Sequence, residues 1–211
     1  MNPVSASSSP PHANTPWSPP ERPAAALKEW SGVVEALGSG RQIILIRAGG
    51  LHERRGPGRF QVEQPAFWLW PTRLHQDQQG LKPEAIPPIR PETTINTPPR
   101  LEIVAVVAWE TRVESLELLE RLDPLHVWTP ETIRLRFTQR RPGVHLLALR
   151  VWRCEPVDPP PGTDASGCSS WVEWPDPLAG PLALARAPAL PTDHFQAQLD
   201  QLARLLERPA E

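Results

Sequence analysis

Apolar residues recur along the chain in blocks that predict interleaved helices and strands. Residues 24–37 place apolar side chains at three- and four-residue spacing, which predicts an amphipathic helix. Residues 42–46 and 101–108 are nearly continuous apolar runs, and such runs are typical of strands buried on both faces. Two shorter aromatic-rich strands are expected at residues 59–62 and 67–70, before a break at Pro71.

Capping signals predict two further helices in the second half of the chain. Thr111 and Glu114 have the spacing of a capping box, which predicts a helix over residues 111–122. Thr129, Pro130 and Glu131 form a helix start that combines a cap, a first-turn proline and an acid at the positive end of the dipole. Later elements are predicted as strands at residues 144–154 and 171–174 and an amphipathic helix at residues 192–206.

Proline punctuation divides the chain into four predicted segments. The chain contains 29 prolines in 211 residues, well above ordinary usage of ~5%. Residues 1–23 have almost no apolar anchors, so we expect a disordered tail. A single domain is predicted at residues 24–175, a Pro/Ala-rich linker at 176–191 and a terminal helix at 192–207. The irregular spacing of elements favours the α+β class, with one mixed, largely antiparallel sheet and helices packed on it.

Overall composition argues against several classes of protein. The formal net charge is −2, so no strong field attracts nucleic acid or membrane to the molecule as a whole. No apolar run reaches the ~20 residues that a membrane-spanning helix needs, and the N-terminus lacks a secretory layout. The two cysteines, Cys154 and Cys168, do not form a disulfide framework or a zinc set. We therefore expect a cytoplasmic protein with no membrane contact, no metal and no cofactor.

Local charge nevertheless suggests a ligand-binding site. Arg47 ends a predicted buried strand and is followed by Gly49 and Gly50, where backbone N–H groups can face a ligand. A second basic run contains Arg136 and Arg150 with no acid inside it. Guanidinium groups at such positions can clamp a phosphate or carboxylate. The alternative, that both basic runs are solvated faces, is the commoner outcome for such charge patterns.

Two polar residues near the aromatic strands could carry acid–base chemistry. Glu63 and His75 flank the predicted strand at residues 67–70, and a hydrolase could use them together with Glu102. Glu63 could equally form a structural pair with Arg47 or Arg150. The spacing of acids and a lysine expected for a metal nuclease with two carboxylates is absent, as is a nucleophile-elbow signature around any serine. The Cys168 thiol has no evident partner base, so burial of a small thiol is the simpler interpretation.

An ordered set of short motifs resembles one known family. It is the prokaryotic, largely cyanobacterial family catalogued as domain of unknown function eighteen-oh-two, and the match spans about residues 27–173. The motifs lie at residues 27–30, 44–50, 60–63, 67–72, 75–76, 126–129, 136–137, 149–152 and 167–172. The resemblance names a family but implies no established activity.

Three hypotheses for function follow from these observations. The first is a small binding module for RNA or a nucleotide-like ligand that uses a basic cleft, with some of the nine tryptophans as stacking surfaces and the rest as core. The second is a protein-interaction adaptor that docks partners through the terminal segments. The third is a metal-dependent phosphodiesterase-like enzyme. The residues favour the binding module, and an enzyme is the least supported of the three.

Overall fold

A computed structural model shows an α+β fold built on one seven-stranded sheet. It describes residues 17–21, 23–48, 60–72, 80–86, 98–139, 142–165, 169–174 and 185–207. The strands are β1 (Ala25–Trp30), β2 (Ile44–Arg47), β3 (Ala66–Thr72), β4 (Leu101–Val113), β5 (Val144–Val157), β6 (Trp171–Glu173) and β7 (Ala185–Pro188). The helices are α1 (Ser31–Gly38), α2 (Leu116–Arg121), α3 (Pro130–Thr138) and α4 (Thr192–Glu207). Short 3-10 turns cover Pro83–Ala85 and Asp123–Leu125.

The sheet is mixed but largely antiparallel, as the sequence predicts. Its strand order is β2-β5-β4-β3-β1-β6, and β7 pairs with β5 beside this path. Among the described strands, only the pairing of β1 with β3 is parallel, and the other pairings are antiparallel. The long strand β5 pairs with β2 through its first half and with β7 through its second half. β2 and β7 therefore pair with successive stretches of the same strand.

Both faces of the sheet are covered by apolar side chains. In β3, Phe67 and Leu69 belong to the larger core beneath the helices, whereas Trp68 and Trp70 belong to a second cluster on the opposite face. This alternation is the period of two expected of a strand. Helix α4 adds its buried stripe, which includes Phe195 and Leu199, to the larger core. The prediction that most tryptophans are core residues is therefore confirmed for Trp68, Trp70, Trp109, Trp128, Trp152, Trp171 and Trp174.

The predicted helix over residues 24–37 is wrong in its first half. Ala25–Trp30 is strand β1, and the helix begins only at Ser31. β1 lies between β3 and β6, and its backbone groups pair with both neighbours. Apolar side chains alternate across this strand, since Leu27 faces the larger core and Ala26 faces the second cluster. A segment that is apolar on two faces satisfies helical and extended patterns alike, and pairing with distant strands decides between them.

The predicted helix over residues 111–122 also begins too early. Strand β4 continues to Val113, and the helix α2 begins at Leu116. Its cap is Ser115, whose side chain accepts a hydrogen bond from the Leu118 N–H, so the Thr111 capping box does not form. Thr111 instead lies opposite Leu146 in the β4–β5 ladder. Strand β3 likewise runs through Pro71 to Thr72, beyond the short stretch, Ala66–Trp68, that pairs with β4.

Other predictions meet the structure in part. Thr129 caps α3 as expected, and its side chain accepts a hydrogen bond from the Thr132 N–H. Within the predicted linker, Ala185–Pro188 forms β7. Most of the predicted N-terminal tail lies outside the described residues, although Trp17 contacts the Phe195 ring edge-on with ring centroids 6.2 Å apart. In the described ranges, no helix is both long enough and apolar enough to cross a membrane.

Candidate functional site: two guanidinium groups on one buried carboxylate

Two of the predicted arginines meet at one buried acid. Glu29 lies near the end of β1, Arg47 is the last residue of β2, and Arg136 lies on α3. We call these three residues the Glu29 cluster. Three strands separate β1 from β2 in the sheet, so the sheet must curve to bring Arg47 against β1. The curvature and the helix α3 together form this site from three distant parts of the sequence.

Hydrogen bonds hold the Glu29 cluster in a defined geometry. Arg47 Nη1 donates to Glu29 Oε2 at 2.8 Å and to the Lys28 carbonyl at 3.1 Å. Arg47 Nη2 donates to Ser170 Oγ at 2.7 Å, which links the cluster to the start of β6. Arg136 Nη1 donates to the Ile46 carbonyl at 2.6 Å, and its Nη2 lies 3.4 Å from Glu29 Oε1. Both guanidinium groups therefore tie separate strands together as well as facing the carboxylate.

The charges in this cluster do not cancel. The side chain of Glu29 is 1% exposed, and those of Arg47 and Arg136 are each 13% exposed. Within the described ranges, Glu29 is the only acid paired with either guanidinium, so two positive charges share one negative charge and the net charge is +1. Partly buried charge without a full counter-charge is costly, and binding an anion is one way to offset that cost.

Electrostatics fix the protonation state of the cluster. Burial alone would raise the pKa of Glu29, but the charges of Arg136 and Arg47 and the hydrogen bond from the Trp30 N–H together lower it below its ordinary value of 4.5. Burial lowers the pKa of Arg136, and the charge of Glu29 opposes that effect. Arginine stays protonated at any ordinary pH, so the carboxylate and both guanidinium groups are ionised near neutrality.

Aromatic rings surround the arginines. The Arg136 guanidinium carbon lies 4.7 Å from the centroid of Trp30 and 4.8 Å from that of Trp128. The guanidinium of Arg47 lies 5.3 Å from the centroid of Phe60. Trp128 is fully buried, whereas Trp30 is only partly buried. Trp30 is therefore a partly exposed aromatic residue beside the net positive charge of the cluster.

The N-terminal end of α1 adds to the positive potential at this site. Trp30 is the N-cap residue of α1, and the first turn contains no acidic side chain. The Trp30 N–H donates to Glu29 Oε1 at 2.9 Å, so the buried carboxylate lies at the positive end of the helix dipole. Two guanidinium groups and a helix N-terminus thus converge on one carboxylate.

The remaining predicted site residues are not part of the Glu29 cluster in the described structure. Arg150 does not join the cluster: its Nη1 donates to the Leu190 carbonyl at 2.7 Å, and its Nη2 donates to Thr192 Oγ1 at 3.3 Å. It lies five positions along β5 from His145, the residue opposite Arg47, or about 17 Å at strand spacing. Glu63 lies in the segment that precedes β3. Gly49, Gly50 and His75 lie outside the described residues.

Sequence reasoning missed Glu29 and Trp30 as site residues. Both fell inside the predicted helix, where Trp30 was assigned to the apolar face. One signal was available, because Lys28 and Glu29 are charged residues inside an otherwise apolar block. Charged residues are almost never fully buried unless they are paired, so an acid inside a predicted apolar element indicates a position that needs a charged partner.

Other candidate chemistry finds little support among the described residues. No three His, Cys, Asp or Glu side chains in the described ranges are grouped so that they could hold a metal ion. Cys154 is a buried free thiol, and burial raises its pKa to about 11, which keeps it protonated and unreactive. Cys168 lies outside the described residues.

The fold and the cluster define a small α+β protein with a partly buried, net positive site. The chain belongs to the family described as Domain of unknown function (DUF1802), whose model matches residues 26–201. This match confirms the family resemblance found in the sequence. No curated protein sequence is significantly similar to the chain.

Solved structures of the ASCH protein of Zymomonas mobilis show a distant likeness. The unmutated protein is 15% identical over 64% of this chain and 72% of that chain, with a TM-score of 0.40. A serine-to-alanine mutant is 16% identical over 66% of this chain and 76% of that chain, with a TM-score of 0.41. A tyrosine-to-phenylalanine mutant is 13% identical over 64% and 74%, with a TM-score of 0.42. These values are too low to assign a function.

Proposed function

We propose that this protein is a binding module for single-stranded RNA or a nucleotide-like ligand, with the phosphate held at the Glu29 cluster. The observation that carries the proposal is the uncompensated charge: Arg47 and Arg136 share the single carboxylate of Glu29. Arginine guanidinium groups bind phosphate oxygens through paired, charge-assisted hydrogen bonds. A ligand phosphate would therefore supply negative charge that the described residues do not place at this site.

A nearby aromatic surface favours a ligand that contains a base. Trp30 is partly exposed and lies against the Arg136 guanidinium, 4.7 Å from ring centroid to guanidinium carbon. Base stacking on an exposed aromatic ring contributes about 1–3 kcal/mol per base and tolerates any sequence. A phosphate at the guanidinium groups and a base on Trp30 use the two features together. A simple inorganic anion would use only the charge.

The overall charge of the protein predicts how RNA affinity depends on salt concentration. A net charge of −2 gives no general attraction for nucleic acid, so affinity must come from a local site. For single strands, log Kobs is expected to fall with log salt concentration with a slope of about −0.7 per neutralised phosphate. A site with one net positive charge predicts a shallow slope, about −0.7 to −1.4, unlike that of a broad basic surface.

The experiment is fluorescence anisotropy of a labelled single-stranded RNA oligonucleotide at several KCl concentrations. Arg136→Gln is expected to weaken binding at low salt and to reduce the slope by about 0.7. Arg134→Gln is the matched control: it removes the same charge from the same helix, but Arg134 is 61% exposed and pairs with Glu120 instead. This control is expected to leave both affinity and slope unchanged.

A variant that keeps the buried charges distinguishes a loss of RNA binding from a loss of folding. Trp30→Ala removes the stacking surface but keeps both arginines, and it is expected to weaken RNA binding about tenfold, within the range for one lost stacked base. Thermal unfolding of each variant shows whether it is folded at the assay temperature. An absence of binding by the unmutated protein at low salt would overturn the proposal, and so would equal losses in Arg136→Gln and Arg134→Gln.

A further inference from the structure

His145 on β5 lies beside Arg47 on the same face of the sheet. The two residues are directly opposite each other in the β2–β5 ladder. Directly opposite residues of an antiparallel pair project their side chains to one face, with Cβ atoms about 4.5–5.5 Å apart. Phe60 contacts both side chains, because its ring centroid lies 5.3 Å from the Arg47 guanidinium carbon and 5.8 Å from the centroid of the His145 ring. A phosphate bound at Arg47 would therefore lie next to this imidazole.

An acid on the neighbouring strand orients the imidazole. Arg112 on β4 is opposite His145, and Glu110 lies two residues earlier on the same strand, so all three side chains share one face. His145 Nδ1 lies 3.1 Å from Glu110 Oε1. An ionised carboxylate only accepts hydrogen bonds, so Nδ1 carries the proton of this bond. In the neutral ring the other nitrogen, Nε2, is then a hydrogen-bond acceptor.

The acceptor nitrogen of His145 is open to solvent. The side chain of His145 is 23% exposed, whereas that of Glu110 is 11% exposed. Among the described residues, Nε2 has no hydrogen-bond partner, and it is not fully buried, in contrast to both ring nitrogens of His126. A ligand can therefore reach Nε2 from the side of the sheet on which Arg47 lies.

An acceptor at this position distinguishes between the groups of a nucleic acid. Phosphate oxygens that carry the negative charge only accept hydrogen bonds, so they gain nothing from an acceptor nitrogen. A ribose 2′-OH can donate a hydrogen bond, and it is the group by which a protein tells RNA from DNA at a given site. Each ribose in RNA carries this hydroxyl close to the phosphate that follows it. An acceptor beside a phosphate site therefore matches ribose and gains nothing from deoxyribose.

We propose that His145 Nε2 accepts a hydrogen bond from a ribose 2′-OH of a ligand whose phosphate binds at Arg47, and that this contact selects RNA over DNA. Glu110 fixes the ring tautomer that makes Nε2 an acceptor. This inference rests on the proposed phosphate site at the Glu29 cluster. It narrows the class of ligand from nucleic acid in general to ribonucleotides.

The test is fluorescence anisotropy of one labelled single-stranded sequence made as RNA, as DNA and as 2′-fluoro RNA. It is run at low salt and at pH 8, above the range in which imidazole groups ordinarily change charge. The 2′-fluoro oligonucleotide keeps an RNA-like sugar conformation but lacks the O–H donor. We expect it to bind about fivefold more weakly than RNA, the effect of losing one hydrogen bond, and DNA to bind at least as weakly.

The outcomes separate this inference from the function on which it rests. Equal affinity for RNA and 2′-fluoro RNA would overturn the role of His145 and leave the phosphate site standing. No binding of any of the three oligonucleotides would overturn both.

A matched pair of histidine variants assigns the effect to one residue. His145→Phe keeps an aromatic ring against Phe60 but removes both nitrogens, so it is expected to lower RNA affinity about fivefold and to abolish the difference between RNA and 2′-fluoro RNA. His194→Phe is the control, because His194 is 67% exposed and lies on α4, and it should keep that difference. A folded His145→Phe protein that still prefers RNA would contradict the assignment.

A measurement on the unmutated protein decides the matter if His145→Phe does not fold. The imidazole ¹⁵N resonances report which ring nitrogen carries the proton. We expect the Nε2 signal of His145 to be that of an unprotonated nitrogen, and to shift in a saturable manner with RNA but not with 2′-fluoro RNA. A protonated Nε2, or equal shifts with the two oligonucleotides, would overturn the proposal.

Discussion

Replacing Glu29 with glutamine separates the two roles that the structure gives this buried carboxylate. The acid stabilises the fold by pairing with Arg47 and Arg136, and it also neutralises charge that a ligand phosphate could otherwise meet. Removing one member of a buried ion pair costs about 3–5 kcal/mol. Glutamine keeps the size of the side chain and an oxygen for the Trp30 N–H, so we expect the lower end, about 3 kcal/mol.

That loss is large enough to measure by thermal unfolding. For a chain of this size, 1 kcal/mol shifts the melting temperature by about 2–4 °C, so Glu29→Gln should unfold about 6–12 °C lower. The control is Glu35→Gln on α1, whose carboxylate is 52% exposed and pairs with Arg153 at the surface. An exposed pair of this kind contributes little, so the control should lie within about 1 kcal/mol of the unmutated protein.

Ligand affinity should change in the opposite direction. Without its carboxylate, the cluster changes from a net charge of +1 to +2. One unit charge at 4 Å is worth about 4 kcal/mol at an effective dielectric constant of 20, and solvent screens much of this at a partly exposed site. We expect about tenfold tighter binding of single-stranded RNA at low salt, or about 1.4 kcal/mol. Equal or weaker binding by a folded Glu29→Gln protein would refute the reasoning.

Three other predictions concern the stability of the fold. Burial lowers the pKa of His126 from 6.5 to about 4, so the unfolded chain takes up a proton first as the pH falls. The free energy of unfolding should therefore drop by about 2 kcal/mol between pH 6.5 and 5. The His126→Gln variant should lack that drop when unfolding is followed in urea titrations. Thr129→Ala removes the α3 cap and should cost about 1 kcal/mol by urea unfolding, whereas an unchanged midpoint would contradict the capping role. Gly40→Ala should cost about 2 kcal/mol or more, because Gly40 has a φ of +73° and a Cβ there would lie 2.7 Å from the Ala189 carbonyl oxygen. Gly162→Ala is its control in the same assay, since Gly162 has a similar φ of +77° but an added Cβ would meet nothing within 4 Å; equal losses at both positions would show that the predicted clash is absent.

Local signals in the sequence predict some elements well. Helix α3 begins where Thr129, Pro130 and Glu131 place it, because a cap and a fixed proline φ act within one turn. The apolar run at residues 144–154 predicts a buried strand there. Strand β5 begins at Val144 as predicted and extends to Val157. These features need no information from distant residues.

Elements that depend on distant partners were harder to predict. β1 was assigned to a helix because its apolar residues fit both periods, and only pairing with β3 and β6 makes it a strand. The same limit applies to the site. Basic runs in the sequence pointed to Arg47 and Arg136, but curvature of the sheet determines that they meet at Glu29 and that Arg150 does not. No spacing in the sequence encodes that curvature.

Arginine Nε–Hε resonances report ligand contact one residue at a time, and they can be followed by NMR while single-stranded RNA is added at low salt. If phosphate binds at the Glu29 cluster, the Arg47 and Arg136 signals will shift in a saturable manner with a common dissociation constant, while the Arg134 signal stays in place. Shifts confined to exposed arginines, or no saturable shift at Arg47 and Arg136, would contradict ligand binding at this site.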